Sequence, residues 1–415
     1  MVYEYEIQVG IRNCEQAPIH GQQKRKDDVV KAYGKSFQKL FILLWLLLSI
    51  LLCGCWNYRE IEDLTIVAGA ALDKEGDMYI LTFEVIDVAG GPEKNHSSAL
   101  IKASGLTLFE ASRNAISVIG NKLYWSHAKM MIISEDIAKE GLVPVMDWLA
   151  RDAEIRQTIK IVVSKEKTAR EILEITHPTI EVVSLAMDQV FQNKDSVTSV
   201  PRVEEWKLFQ DLAQPGVSTA LPTVYINEEN GNKRLFVSGS AIFDKDRLIG
   251  YLNDEETELM MFVKNEITRG LITEKIEHND IPIKISLEIL KSQTEIKPVV
   301  KDDEIKFEID MTVHGNIGEI EGYHFHLDRK GANHLEKHFE ELLNKNIAAF
   351  IKTIQKEYGV DIFGFADALS ARDPKTWKKV EPRWKEVFKN VEVTVNSEVH
   401  IEGAAIQKKP IRIRE

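Results

Sequence analysis

Cysteine is nearly missing from this chain: there are three, Cys14, Cys53 and Cys55, and none follows Cys55 in a sequence of 415 residues. Beyond Cys55 no internal disulfide can form, and no cysteine zinc site or thiol nucleophile exists. Stability there must come from ordinary apolar cores, which domains of this size can build. Basic charge is short as well, with 53 Lys and Arg against 65 Asp and Glu, a net of −12. Residues 1–54 hold seven Lys/Arg and five Asp/Glu, so the part from Cys55 onward is two units more negative, at −14. That balance excludes a nucleic-acid footprint and broad adhesion to anionic lipid head groups. Also missing are GxxxxGK[ST], GxGxxG after a strand and GxSxG. Ser238-Gly239-Ser240 lies inside a strand-like run and reads as a turn or bulge, not as a nucleophile. With so many carboxylates, pairs arise by chance, so no acid/base couple is nominated and no catalytic residue or cofactor is expected. The chain has no internal repeat and no low-complexity segment.

One long apolar run is present. Leu40 to Leu52 reads LFILLWLLLSILL and closes on Leu52-Cys53-Gly54-Cys55, with Lys31, Lys35 and Lys39 before it. This run of thirteen residues, broken only by Ser49, makes a helix of about 20 Å, whereas spanning the hydrocarbon takes roughly 20 residues. The run is therefore a signal-peptide core rather than an anchor. The small residues before Cys55 form a lipobox, so cleavage is expected before Cys55, whose thiol would carry diacylglycerol. Two or three acyl chains make such an attachment durable. Residues 1–30 are polar and lack periodicity, and read either as a start placed too early or as a leader lost on cleavage.

The remainder divides by pattern into residues 55–193, a linker at 194–216, a small sheet-and-helix segment at 217–272, and a carboxy-terminal part at 273–415. The fold class expected is α+β: three mixed domains, with antiparallel-rich sheets and packed helices, after the leader at 1–54. In the first domain, Ile66–Leu72 and Met78–Val88 form a strand pair around the turn Asp73-Lys74-Glu75-Gly76. Thr107-Leu-Phe-Glu110 is a capping box opening a helix with Leu108, Ala111, Ala115 and Ile119 on its apolar face. Further elements are a strand at Lys129–Ile133, helices at Val143–Arg151 and Thr179–Asn193, a strand at Thr158–Val163, and a second capping box at Thr168–Glu171. The polar 194–216 stretch, with Pro201 and Pro215, predicts little structure. Beyond it, Leu221–Ile226 and Leu235–Phe243 predict strands and Asp254–Ile267 a helix. Last comes the clearest period-two signal: Ile281, Ile283, Ile285, Leu287 and Ile289, then Ile305, Phe307, Ile309, Met311 and Val313. A helix over 333–358 follows, stopped by Gly359. Trp377 and Trp384 fall on another helix, and Val391, Val393 and Val395 on a closing strand.

Four histidines cluster within fifteen residues, a grouping that could bind a transition metal. His324 and His326 share a strand face, and His334 and His338 share a helix face. The spacing lacks the glutamate of H-E-x-x-H, so a solvated strand edge and the wet face of a helix are the better reading, and no metal site is expected. His127 reads as a half-buried packing residue.

Cys55-Trp-Asn-Tyr-Arg-Glu-Ile-Glu-Asp-Leu64 resembles the opening of mature Ger(x)C proteins, the spore germination lipoproteins that form the C subunit of germinant receptors. The resemblance continues through Gly105–Asn114, is strongest across Leu123–Lys129, Ile132–Glu135 and Trp148–Arg156, and returns at Gly239–Gly250. It implies a non-catalytic subunit of three mixed domains, held by lipid on Cys55 to the outer face of the inner spore membrane. It also implies two integral-membrane partner subunits, of A and B type, and a role in nutrient-triggered germination. Trp56 and Tyr58 suit a membrane interface or packing on the first strand. Arg59, Glu60, Arg151, Asp152 and Arg156 are candidates for interdomain or subunit ion pairs, with solvated charge as the plain alternative. Two rival functions stay open at this stage: a solute-binding lipoprotein, which needs two similar lobes and a cleft, and a lipid-anchored envelope hydrolase, which needs a catalytic constellation.

Overall fold

The structure is a computed structural model that describes residues 37–47 (save 38), 64–86, 98–175, 180–193, 199–229 (save 202), 231–278, 281–321 (save 303) and 329–404. The chain divides into two units, Met1–Ile61 and Glu62–Glu415. In the first, residues 39–47 form a helix, α1, whose apolar side chains from Leu40 to Leu47 are all exposed. No helix among the described residues is long and apolar enough to cross a membrane.

The second unit contains two sheets. In the first, β1 (Leu64–Glu75), β2 (Met78–Ile86) and β3 (Ser98–Gly105) form an antiparallel meander. Gly76 makes the β1–β2 turn at φ +60°, a conformation that costs glycine little. On the other side of β1 run β4 (Lys122–Tyr124) and β5 (Met130–Ile133), both parallel to it. Then follow β6 (Lys160–Ser164) and β7 (Ala220–Glu229), also parallel, and β8 (Asn232–Asp244) and β9 (Arg247–Leu252), antiparallel. The centre is thus parallel, which the expectation of antiparallel-rich sheets did not include. The reason is visible along β5 and β6: Met131, Ile133, Ile161 and Val163 enter one core while Met130, Ile132 and Val162 enter the other. Strands buried on both faces read as continuous apolar runs and carry no face preference.

Helices cover both faces. On one lie α2 (Leu108–Ile119), α3 (Glu135–Glu140), α4 (Val143–Arg151) and α7 (Glu205–Ala213); on the other α5 (Arg170–Leu173) and α6 (Val183–Gln192). Thr107 caps α2 as expected, accepting from Glu110 N. Ser134 stands at the start of α3 without capping it; its hydroxyl is buried and unpartnered. The opening amides of α6 are capped from the sheet, because the fully buried Glu84 accepts Val183 N and Ser184 N at 2.7 and 2.8 Å. The expected linker at 194–216 contains α7, which packs its Leu208 into the core. The segment at 217–272 is continuous with the first sheet, to which it adds β7, β8 and β9. At Gly239, φ +76° and a register shift opposite Pro222 and Val224 make the predicted bulge.

The second sheet runs β10 (Gly270–His278), β11 (Ile281–Lys301), β12 (Glu304–Glu321) and β13 (Glu392–Ala404), with β12 and β13 parallel. Its alternate apolar positions pack on α8 (Asp254–Val263), α9 (Arg329–Glu357) and α10 (Phe365–Arg372), and its core also takes in Ala220, Ile242 and Leu252 from the first sheet. Trp377 and Trp384 do not share a helix: they lie on α11 (Pro374–Val380) and α12 (Trp384–Asn390), broken at Pro382, and meet edge to face at 5.3 Å.

Candidate functional site: a groove between two helices

The loop entering α2 leaves Leu106 exposed, and the second residue of α2, Phe109, points away from the face carrying Leu108, Ala111 and Ala115. Relative exposures of 63% for Leu106, 54% for Phe109 and 55% for Val143 mark these as unburied large apolar side chains. Leu106 and Phe109 rim a cavity of about 590 Å³ whose walls include Tyr79, Pro144, Trp148 and Asp152, with Val143 next to Pro144 in sequence. A second cavity of about 260 Å³ continues along α2, lined by Arg113, Ile116, Lys122, Trp125 and Glu154. Phe109, Arg151 and Asp152 line both cavities, so the two form one groove between α2 and the end of α4.

The floor is aromatic. Trp125 meets Phe83 and Trp148 edge to face, at 5.4 and 5.7 Å. Trp148 is 6% exposed, and its indole N–H has no hydrogen-bond partner. The rim's charges are mostly paired. Arg151 Nε donates to Asp147 Oδ2 at 2.8 Å, one helical turn away, and this bond holds the Asp147 carboxyl below the usual carboxylate range. Lys122 pairs with Glu154. Asp152 accepts from Glu154 N at 3.0 Å. Among the described residues Arg113 pairs with no carboxylate; it lies 5.0 Å over the Phe109 ring. The groove can bury apolar side chains and meet a carboxylate at Arg113, but its ionisable groups are not arranged as nucleophile and base.

Of the residues expected to act, Cys55, Trp56, Tyr58, Arg59 and Glu60 lie outside the described residues. Arg151 and Asp152 meet in the groove, although the ion pair of Arg151 is made within its own helix and not between domains. Arg156 is exposed and lines neither cavity. Sequence reasoning missed Phe109; the available signal was an aromatic residue off the apolar stripe of its helix. His127 is exposed, not half-buried, with its ring 5.4 Å from Tyr124. His324 and His326 lie outside the described residues, His334 is exposed, and His338 rests against Phe339. Among the described residues no three His, Cys, Asp or Glu are grouped to hold a metal.

Most residues lining the groove fall within 105–114, 123–129 and 148–156, three of the segments that carry the family resemblance. The model described as "Spore germination protein N-terminal domain" matches residues 57–226, and that described as "Spore germination B3/ GerAC like, C-terminal" matches residues 238–404. Spore germination protein KC of Bacillus subtilis (strain 168) is 27% identical over 400 residues, covering 90% of this chain and 97% of the relative. Spore germination protein B3 of the same organism is 24% identical over 370 residues, covering 85% and 94%. The crystal structure of the GerBC protein superposes with a TM-score of 0.54 at 22% identity, over 80% of this chain and 97% of that one, and so shares the fold. The chain belongs to the spore germination GerAC/GerKC family, the C subunits of germinant receptors, a family that is generally non-catalytic.

Proposed function

We propose that this protein is the lipid-anchored, non-catalytic C subunit of a germinant receptor, tethered through Cys55 to the extracytoplasmic face of the inner spore membrane. There it acts beside integral-membrane partners of A and B type. The observation that carries this reading is positional: the family match begins at residue 57, two residues after the lipobox cysteine. Everything before Cys55 is then leader, and the family chain starts where a lipid would be attached. Confinement by acyl chains raises the effective concentration of this subunit near membrane partners, so individually weak contacts suffice. A solute-binding role is less well supported, because the two sheets differ in strand number, order and length and do not make similar lobes. The test is mass spectrometry of the full chain extracted from spore membranes. An amino-terminal peptide beginning at Cys55 with a diacylglycerol adduct is expected. A chain retaining residues 1–54, or one recovered unacylated in the soluble fraction, would overturn the reading.

A further inference from the structure

We infer that the groove between α2 and α4 is the docking site for a polypeptide segment of an integral-membrane partner. That segment places one apolar side chain in each cavity and a carboxylate against Arg113. The inference rests on the proposed lipid-anchored reading. Three observations favour this occupant.

The first is shape. Two cavities joined side by side run along a 12-residue helix, which is about 18 Å long. A single small ligand needs one enclosed pocket; a peptide or helix presents successive side chains to a row of them.

The second is charge. Lys122 and Arg151 are already tied to Glu154 and Asp147, leaving Arg113 as the cation that no acid in the groove engages. A bilayer surface would be met by a broad basic patch. This groove has none, on a chain that is −14 from Cys55 onward. A flat lipid surface also cannot enter the two concavities.

The third is reach. Leu64 at the start of β1 pairs with Lys122, and Lys122 lines the smaller cavity. Nine residue steps separate Cys55 from Leu64, at most about 30 Å when fully extended. A lipid on Cys55 would therefore hold Leu64 no more than about 30 Å from the membrane surface, a span within reach of extracytoplasmic loops. The exposed apolar rim of Leu106 and Phe109 has a burial partner there that a free soluble protein lacks.

The test uses the full chain in spore membranes, with a photo-crosslinking amino acid at position 106 or, as control, at the exposed position 275 on β10. Illumination is expected to give an adduct at 106, identified by mass spectrometry as an integral-membrane receptor subunit, and none at 275. Phe109→Asp is expected to lower that adduct at least about tenfold, as removal of a central aromatic anchor does. The variant should fold, because Phe109 is exposed and an acidic residue in the first turn of a helix is favourable. An unchanged thermal midpoint of purified Phe109→Asp chain verifies this. Adducts to lipid alone, adducts at 275 but not 106, or an adduct insensitive to Phe109→Asp would each overturn the inference. Acylation of Cys55, measured in the same samples, separates the two failures. An acylated, membrane-held chain with no adduct at 106 sinks the groove assignment alone, while an unacylated chain sinks the anchored reading.

Discussion

Asp361 is fully enclosed, yet it is a carboxylate. It accepts the backbone N–H groups of Phe363, Gly364, Phe365 and Ala366 and the indole N–H of Trp384, at 2.7–3.2 Å. Burial pushes its pKa up to about 6 from the ordinary 3.8, while the four backbone donors pull the other way. Between those two values the folded chain keeps a proton that the unfolded chain has lost. Stability contributed by this group therefore falls as pH rises from about 4 to about 6 and is level above that, a change on the order of 3 kcal/mol. Urea unfolding of residues 62–415 at a series of pH values should show this slope, and Asp361→Asn should remove it. Asp361→Ala strands five donors and is expected to cost more than about 3 kcal/mol at any of those pH values. Glu84 makes a parallel case: Glu84→Ala leaves the first two α6 amides buried without an acceptor, and a loss of about 2–4 kcal/mol in the same assay is expected. Neither role was legible in the sequence. Glu84 meets α6 about a hundred residues along the chain, and Asp361 sits in an apolar stretch that marks burial without naming its donors.

At the level of elements, the edge of the second sheet is closed by side chains rather than by another strand. The outward amides of Ser397, Val399 and Ile401 on β13 are accepted by Asn344, Glu340 and Glu336 of α9, at 2.9, 3.1 and 2.8 Å. Alternate strand residues present their amides to one side, and helix residues four apart line one face, so the two periods meet in register. An open edge invites pairing with other chains. Glu340→Ala with Asn344→Ala is expected to raise amide exchange at 397 and 399 by at least about tenfold, as a contribution of about 1–2 kcal/mol per buried bond requires. Protection in β11 should hold; a uniform loss across both sheets would show instead that α9 carries the whole unit.

The strands β11 and β12 and the helix α9 were legible because each has a solvated face, which imprints a period on the sequence. The turn at Gly76, the bulge at Gly239 and the stop at Gly359, at φ +64°, were legible because those backbone conformations favour glycine. By contrast β9, β10 and α7 are short or lack a clean alternation. The parallel pairing of β13 with β12 is a property of the crossover through α9 to α12, not of either strand's residues.

Over the whole molecule, the lipobox expected at Cys55 is a contiguous sequence pattern and lies outside the described residues. The groove was not readable in the sequence, because it is assembled from segments separated by tens of residues and its apolar rim looks like any surface leucine or phenylalanine until the fold brings those residues together. The same holds for the division of the chain: the polar stretch 194–216 reads as a linker, yet β6 and β7 on either side of it pair directly.

For the whole molecule we propose a receptor subunit held at the membrane by a lipid on Cys55, two residues before the family match begins. The most direct test is germinant-triggered loss of refractility in spores whose copy of this protein is deleted or carries Cys55→Ala, with protein level measured alongside. The account predicts that both strains lose the response to one class of germinant and keep the others. A deletion strain that responds normally to every germinant would contradict it.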